Sequence, residues 1–412
     1  MPRALYLLLA VQFLSAVADN AFLIVAIARL VELGGEAWLI PLLKLSAVFF
    51  YVLLAPFVGP LADAFPKGRV MVFSNALKVA GSLILLSGIS PEIAIAVVGF
   101  GAAIYAPAKY GLMTEILPSE ALVRANSYLE SVTVAAVIVG TVVGGALVGQ
   151  HVLFLPADTF GALPVVADST YLAGMCALLV MNIFAFVISF FVADSGARYD
   201  FHSIHPVALL KRFVRENALL WRDPMGGLSM AVTTLIWAVG ATLQLLVLSW
   251  ASQALGFNLE QAAYLQGVTA IGVVAGSVAA GRYVTLAGVP LLLPLGLLIG
   301  MLIPMLLLIH TVAIAVVFLL SVGALVGYFV VPMNAMLQHR GSSLLTAGRS
   351  IAVQGFNENG GMLLMLLLYS AAIAFAVPMT ILLAGFGLLV TLLMALIWLN
   401  ASQQQVAQIE QS

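Results

Sequence analysis

"GFGAAIYAPAKYGLMTEILPSEALVRANSYLE", residues 99–130, has an echo in "GALVGYFVVPMNAMLQHRGSSLLTAGRSIAVQ", residues 323–354. Each opens with glycines, passes an aromatic residue, carries a proline deep in an apolar run (Pro107, Pro332), turns through a polar hairpin with an arginine, and restarts on small residues. A fainter echo joins "GPLADAFPKGR" from Gly59 to "GSVAAGR" from Gly276. Self-similarity of this kind marks a chain built from two structural halves.

The rest of the chain fixes the solvent in which those halves fold. Of 412 residues, 63% are hydrophobic and only 8% charged, where a soluble domain carries about a quarter charged. So few charges cannot cover a water-facing surface, which makes the bilayer the solvent. A membrane-spanning helix needs about 20 mostly apolar residues. Twelve such runs are read: 4–31, 37–62, 69–89, 91–117, 121–149, 168–193, 226–254, 260–286, 289–308, 310–338, 345–375 and 377–400. The first is too long, and too interrupted by Asp19, to be a cleaved signal. The net charge of −1 says nothing of partners.

Lys and Arg mark the cytoplasmic side of such a chain. With the N-terminus inside, Arg3, Lys67, Arg69, Arg124, Arg198, Lys211, Arg212, Arg215, Arg222, Arg282, Arg340 and Arg349 share one side, and Arg29 stands on the other beside Glu32, Glu36, Glu92, Asp158 and Asp168. Both termini are therefore expected in the cytoplasm. The longest polar stretch, 194–225, divides the chain into a six-helix bundle over 1–193 and another over 226–400, with a tail over 401–412. Within it Val207, Leu210, Phe213, Val214 and Leu220 stand near helical spacing opposite Lys211, Arg212 and Arg215. Two readings stand: a basic amphipathic helix on the inner headgroups, or a solvated tether.

Six spans plus six, joined by a charged central loop, is the plan of the major facilitator transporters, whose binding site lies between the halves. The fold class expected is an all-α membrane protein of twelve transmembrane helices in two pseudo-symmetric six-helix bundles. "GPLADAFPKGR" resembles the signature hairpin of that superfamily between spans two and three. The resemblance implies a gating role for Gly59, Asp63, Lys67 and Arg69; a charged, topology-setting turn is the plainer alternative. "VQFLSAVADNAFL", "LLAPFVGPLADAFPKGRVM", "YAPAKYG", "ANSYLE", "VVPMNAMLQHRG" and "AVQGFNENGGMLL" are similar to the bacterial lysophospholipid transporter family over nearly the whole chain. That implies a flippase moving lysophospholipids, chiefly lysophosphatidylethanolamine, from the outer to the inner leaflet of the bacterial inner membrane for re-acylation. The resemblance also implies a functional partner, an acyl-acyl-carrier-protein synthetase/acyltransferase. Because the chain ends on "NASQQQVAQIEQS" after span twelve, that enzyme is expected as a separate chain, and the transporter itself as a monomer.

A charge at mid-membrane costs roughly 2.5 kcal/mol or more and usually faces a cavity or a partner. The polar set here is Asp19 and Asn20 in span one, Lys44 in span two, Asn75 and Lys78 in span three, Lys109 in span four, Asn126 and Glu130 in span five, Gln244 in span seven, and Gln354, Asn357, Glu358 and Asn359 in span eleven. A lysophospholipid offers a phosphate, which calls for cations and amide donors, and an ammonium, which calls for a carboxylate. Asp19, Asn20, Lys109, Gln244, Asn357 and Glu358 are the candidate substrate-binding residues. Lys78 and Glu130 are candidates for gating or for a structural ion pair. Each has a structural alternative: Asp19 joined to a lysine to hold helices, Lys109 as a hinge or clamp beside helix-breaking Pro107. "FNENGG" around Glu358 is a polar, glycine-bearing run inside a span, the kind of place where broken-helix sites occur. Many members of the lysophospholipid family carry an Arg where this chain has Gln244, which loses a charge; if that Arg grips phosphate or pairs with the acid of span one in those relatives, Asp19 here needs another partner. "AGRS" likewise stands where an Asn would match the "ANS" of the first half.

Other chemistries lack a signal. Cys176 is alone and expected to be a packing residue. His202 and His205 have metal-like spacing without further ligands. No phosphate-binding loop or hydrolytic triad is present, so no enzyme activity, metal, cofactor or nucleic-acid partner is expected. Gly140–Gly144 and Gly272–Gly276 read as close helix packing. The alternatives to lipid transport are export of hydrophobic cations through the same acids, and a non-transporting lipid scaffold. Asp19, Glu130 and Glu358 leave proton, sodium or uncoupled transport open.

Overall fold

The computed structural model describes residues 3–34, 43, 48–148, 171–192, 194–197, 199, 205–257 and 259–409. Lys44, Glu36, Asp158, Asp168, Arg198 and His202, and the side chain of Arg3, lie outside the described residues. The helices are α1 (Arg3–Glu32), α2 (Ala55–Ala64), α3 (Lys67–Leu86), α4 (Pro91–Ile116), α5 (Leu122–Val148), α6 (Leu172–Ser189), α7 (Pro206–Arg222), α8 (Pro224–Leu255), α9 (Leu259–Tyr283), α10 (Leu293–Leu302), α11 (Val312–Leu344), α12 (Ala347–Ala374) and α13 (Met379–Ile409). Residues 48–53 are also helical, and short 3-10 turns flank α10 at Leu286–Leu292 and Ile303–Leu308.

Among the described residues, ten helices are long and apolar enough to cross a membrane. They match ten of the twelve expected runs to within a few residues, apart from α11 and α13, which continue past theirs. Of the other two, span two falls partly outside the described residues. Span eleven is α12, a 28-residue helix, long enough to cross but diluted by Arg349, Gln354, Asn357, Glu358 and Asn359. Large apolar side chains such as Phe184, Phe190, Leu367, Phe375 and Leu396 stand more than half exposed, an arrangement that suits lipid and not water.

Two expectations of helix breaking are corrected. Pro107 lies inside an unbroken helix, α4, as Pro332 does in α11; neighbouring helices in a membrane can satisfy the backbone groups that a proline frees. The "FNENGG" run is likewise continuous within α12. Its polar side chains bond within the helix: Gln354 Nε2 donates to Glu358 Oε1 at 2.8 Å and Asn359 Nδ2 to the Gly355 carbonyl at 2.8 Å.

Packing divides the chain into two compact units. The first comprises Met1–Ile116, Val132–Arg212 and Thr346–Val353; the second comprises Leu117–Ser131, Phe213–Leu345 and Gln354–Ser412. The opening turns of α5 thus group with the second unit, and those of α12 with the first.

In the first unit, Phe22, Val25 and Ala26 of α1 meet Leu85 and Leu86 of α3, Ala94, Ile95 and Val98 of α4, and Met175, Cys176 and Leu178 of α6 in one buried cluster. Cys176 is a core residue, as expected. Gly140 and Gly144 of α5 press on α1: a Cβ at Gly140 would stand 2.6 Å from the Val17 carbonyl oxygen, and one at Gly144 2.9 Å from the Ala21 Cα.

In the second unit, α9 and α11 approach through glycines on both sides. A Cβ on Gly272 or Gly276 would strike the backbone at Leu320 and Ala324, and one on Gly323 or Gly327 the backbone at Thr269 and Val273. Small residues let membrane helices gain contact where no hydrophobic drive between helices exists.

Candidate functional site: a charged cavity and a helix-capping hairpin

Asp19 lies in α1 and Lys78 in α3, and the two form an ion pair. Lys78 Nζ is 2.5 Å from Asp19 Oδ2 and donates to Ser15 Oγ at 2.7 Å. The Lys78 residue is 1% exposed. An acid at this depth is tolerated because a cation from the next packed helix neutralises it. The pair extends into a chain of amides and hydroxyls: Ser15 Oγ donates to Asn75 Oδ1 at 3.1 Å, and Asn75 Nδ2 to Ser189 Oγ at 2.6 Å. A chain of this kind fixes the rotamers of its members and holds Lys78 in place.

The pair forms part of the wall of a cavity of about 70 Å3, entirely within the first unit, lined by Gln12, Ser15, Ala16, Asp19, Tyr51, Lys78, Ala102, Tyr105 and Lys109. Lys109 Nζ stands 4.3 Å from the Tyr110 ring centroid, and Lys78 Nζ stands 5.2 Å from that of Tyr105, both in cation–π range. Tyr51 Oη donates to the Ala102 carbonyl at 3.0 Å, and Gln12 Nε2 to Thr133 Oγ1 at 3.1 Å. Two atoms on residues of this wall, Asp19 Oδ1 and Tyr105 Oη, are buried without a hydrogen-bond partner. Such atoms are costly unless something else meets them. The wall brings the ammonium groups of Lys78 and Lys109 and the carboxylate of Asp19 to one small space, groups that suit a charged headgroup. Its volume suits a polar headgroup and not an acyl chain, since one water needs about 10–15 Å3 by a comparable measure.

Gly59, Asp63 and Lys67 meet the start of α12 within the same unit. Asp63 Oδ1 accepts from the Gly348 amide at 2.9 Å, and Oδ2 from Thr346 Oγ1. Asp63 therefore caps α12, supplying the acceptor that the first amides of a helix lack. Lys67 Nζ stands 2.9 Å from Asp63 and 3.2 Å from Glu115, and donates to the Ala62 carbonyl at 2.7 Å. Ser195 Oγ donates to Glu115 Oε2 at 2.5 Å, and the Tyr199 ring lies over Lys67 at 5.1 Å. Gly59 and Gly348 allow the approach: a Cβ on Gly59 would stand 2.8 Å from the Arg349 Cα, and one on Gly348 2.7 Å from the Gly59 carbonyl. Arg69 is exposed and Lys67 buried, so the two basic residues of the hairpin play different parts.

The remaining candidates are dispersed. Asn20 donates to the Ala16 carbonyl at 2.8 Å and packs its Cβ toward Gly140; it is not among the residues lining the cavity. Gln244, Glu130, Asn357 and Glu358 belong to the second unit. Gln244 Nε2 donates to Gln266 Oε1 at 3.2 Å, and Gln266 returns a bond to the Gln244 carbonyl at 2.7 Å. Glu358 bonds Gln354 and Thr233 and is an electrostatic neighbour of Glu130. Lys78 pairs with Asp19, a partner other than Glu130. Asn357 is held by α7: its Nδ2 donates to Asn217 Oδ1 at 2.8 Å, and its Oδ1 accepts from Trp221 Nε1 at 3.0 Å. Asn126 and Gln338 exchange two side-chain bonds at 2.9 and 3.0 Å.

The sequence reading missed Gln12, Ser15, Tyr51 and Tyr105 in the cavity, and Glu115, Ser195, Tyr199, Thr346 and Gly348 at the hairpin. Only Tyr105 had a visible signal, as the aromatic residue that precedes Pro107 in the repeated stretch.

Residues 8–364 match the model of the Major Facilitator Superfamily. A lysophospholipid transporter LplT of Salmonella arizonae is 39% identical, covering 95% of this chain and 94% of that protein. The transporter of the same name from Citrobacter koseri is 38% identical over 96% of this chain and 95% of its own length. Among solved structures, a bacterial homologue of the iron transporter ferroportin in an outward-facing state superposes with a TM-score of 0.72 at 17% identity, covering 98% of this chain and all of that one. The transporter FucP in the outward conformation gives 0.71 at 13% identity, covering 97% of each. These two likenesses are of fold alone. The chain belongs to the major facilitator superfamily and, within it, to the family of its lysophospholipid-transporter relatives.

Proposed function

We propose that this chain is a lysophospholipid transporter of the bacterial inner membrane. It carries lysophosphatidylethanolamine from the outer to the inner leaflet by alternating access, where a separate acyltransferase re-acylates it. The chain performs no chemistry of its own and acts as a monomer with both termini in the cytoplasm. Support comes from family membership and from the one-sided distribution of Lys and Arg. The observation that carries the reading is the wall shared by Asp19, Lys78 and Lys109. A zwitterionic headgroup is complementary to an internal ion pair flanked by a second cation. On entry the phosphodiester takes Lys78 and Lys109, with Tyr105 Oη donating to it. Asp19, released from Lys78, takes the ammonium. The exchange gives Asp19 and Lys78 a new partner each, so neither charge of the pair is left alone. The acyl tail stays outside this cavity, in apolar surroundings.

The Asp63–Lys67–Glu115 group is proposed as the gate. Its cap on α12 must be released for the pathway to change sides, and Gly59 and Gly348 set how closely it shuts. Export of hydrophobic cations fits less well, because Asp19 already holds a cation, Lys78. The test is uptake of labelled lysophosphatidylethanolamine by spheroplasts lacking their own transporter, with and without this chain. Chain-dependent uptake is expected, and Asp19→Ala abolishes it when the rate is taken per amount of inserted protein. No uptake by well-inserted wild-type protein overturns the reading and moves it to the exporter.

A further inference from the structure

Helix α7 carries two apolar stripes with different surroundings. Phe213 and Leu220 are buried, the Phe213 ring meeting Phe356 edge-on with centroids 5.3 Å apart. Val207, Leu210, Val214 and Trp221 follow one another at helical spacing on a second stripe, and each is 41–60% exposed. Among the described residues, the Trp221 indole nitrogen is tied to Asn357 while the residue stays 41% exposed. One residue after Leu210, Val214 and Trp221 come Lys211, Arg215 and Arg222, all exposed, a basic ridge along the flank of the open stripe. The helix holds four basic residues and one acid, Glu216, and by helical spacing Glu216 falls on the side opposite the stripe.

Its position limits what can cover that stripe. Only Asp223 separates α7 from α8, which is long and apolar enough to cross the bilayer. Asp223 is fixed at that junction: Oδ1 accepts from the Gly226 amide at 2.7 Å, and the carboxylate takes Arg340 in a two-point bond. The end of α7 is thereby fixed at the membrane boundary, the level at which an apolar stripe beside a basic ridge meets headgroups.

We infer that α7 is an interfacial helix whose Val207–Leu210–Val214–Trp221 stripe inserts at the acyl boundary while Lys211, Arg215 and Arg222 bind anionic phospholipid headgroups of the cytoplasmic leaflet. This surface is separate from the cavity around Asp19 and does not rest on the identity of the transported lipid. Headgroup charge sets the docking strength, because each cation near an anionic leaflet adds attraction that falls within a Debye length. Asn357, held by both Asn217 and Trp221, ties the docked helix to α12 next to Glu358.

The test uses the full chain in proteoliposomes of phosphatidylcholine alone and of phosphatidylcholine with phosphatidylglycerol. A nitroxide is placed at Val214→Cys on the stripe or at Ala208→Cys off it; native Cys176 is buried. Collision with oxygen reports lipid and collision with a water-soluble nickel chelate reports water. The expected result is a lipid-like signal at 214 in the phosphatidylglycerol membrane, weakened several-fold in phosphatidylcholine alone, with 208 in water in both. Lys211→Gln, Arg215→Gln and Arg222→Gln together remove the lipid dependence. A probe at 214 as wet as 208 in both membranes overturns the inference and makes α7 a solvated tether. Equal insertion in both membranes, untouched by the triple change, overturns the headgroup part. Because uptake is not read, failure here is distinct from failure of the transport reading.

Discussion

Lys78 Nζ sits 2.5 Å from Asp19 Oδ2, with Lys78 fully enclosed and the Asp19 side chain 28% exposed toward the cavity. The asymmetry separates scaffold from substrate contact. Removing one member of a buried pair leaves the other charge uncompensated, at about 3–5 kcal/mol. Asp19→Asn, which strands the enclosed Lys78 charge, is therefore expected to lower membrane abundance and melting temperature, and Lys78→Met less so because the Asp19 it leaves behind reaches open space. The double variant restores stability by removing both charges. Its lysophosphatidylethanolamine uptake stays at background if Asp19 meets the substrate. Uptake restored along with stability would assign the pair to structure alone. Abundance, melting and initial uptake rate on the same four proteins decide it.

The Asp63 cap gives a graded series. Asp63→Asn keeps an acceptor for Gly348 and leaves Lys67 paired with Glu115, so a partial loss of uptake is expected. Asp63→Ala removes the cap, worth about 0.5–2 kcal/mol, and half the neutralisation of a buried lysine; uptake should fall to background. Gly348→Val sets a branched side chain against Asp63 and the Gly59 carbonyl, and overpacking there costs about 1–3 kcal/mol. It should hold the hairpin open and stop uptake without lowering abundance. If Gly348→Val transports normally, the close approach is not part of the gate.

Tyr199 was invisible to sequence reading, yet its ring covers Lys67 and its hydroxyl bonds Glu115. Burial, then the charges of Glu115 and Asp63, push its phenol above the ordinary tyrosine range, so it remains a neutral donor at any working pH. Tyr199→Phe keeps the ring and should change uptake little. Tyr199→Ala loses a cation–π contact of about 0.5–2 kcal/mol and should weaken the gate several-fold. The Phe variant behaving like Ala would move the role from ring to hydroxyl.

What could be read in advance follows from the range of each interaction. Span positions were legible because a bilayer imposes one length and one composition on each helix. Close packing at Gly140 and Gly272 was legible because glycine spacing is a local signal. Asp19, Lys78 and Lys109 could be singled out as costly at that depth, but which acid met which lysine could not, since Asp19 and Lys78 are brought together only by the packing of α1 on α3. The hairpin showed the same division. Asp63 could be marked, but its ligands Thr346 and Gly348 lie at the far end of the sequence and carry no signal of their own. Continuity of α12 through "FNENGG" was misread because bonds within its own turns, Gln354 to Glu358 and Asn359 to Gly355, replace what polar residues there usually seek elsewhere.

The Asp223–Arg340 clamp carries a pH signature. Burial alone raises the Asp223 carboxyl, but bonds from Arg340 and from the Gly226 and Met225 amides outweigh it and hold the group below the usual carboxylate range. A carboxyl held lower in the folded chain than in the unfolded one contributes stability that is complete above the unfolded value, 3.8 here, and fades as pH falls through the folded value. Asp223→Asn keeps the acceptor for Gly226 and loses the ion pair, which is discounted to about 1 kcal/mol because the Arg340 side chain is 37% exposed. The melting difference between wild type and Asp223→Asn should stay constant from about pH 8 to pH 5, and shrink only below about pH 4. Adding salt should narrow it at every pH, since a half-exposed pair is screened. A difference already vanishing near pH 6 would show that the clamp is set by some other titrating group.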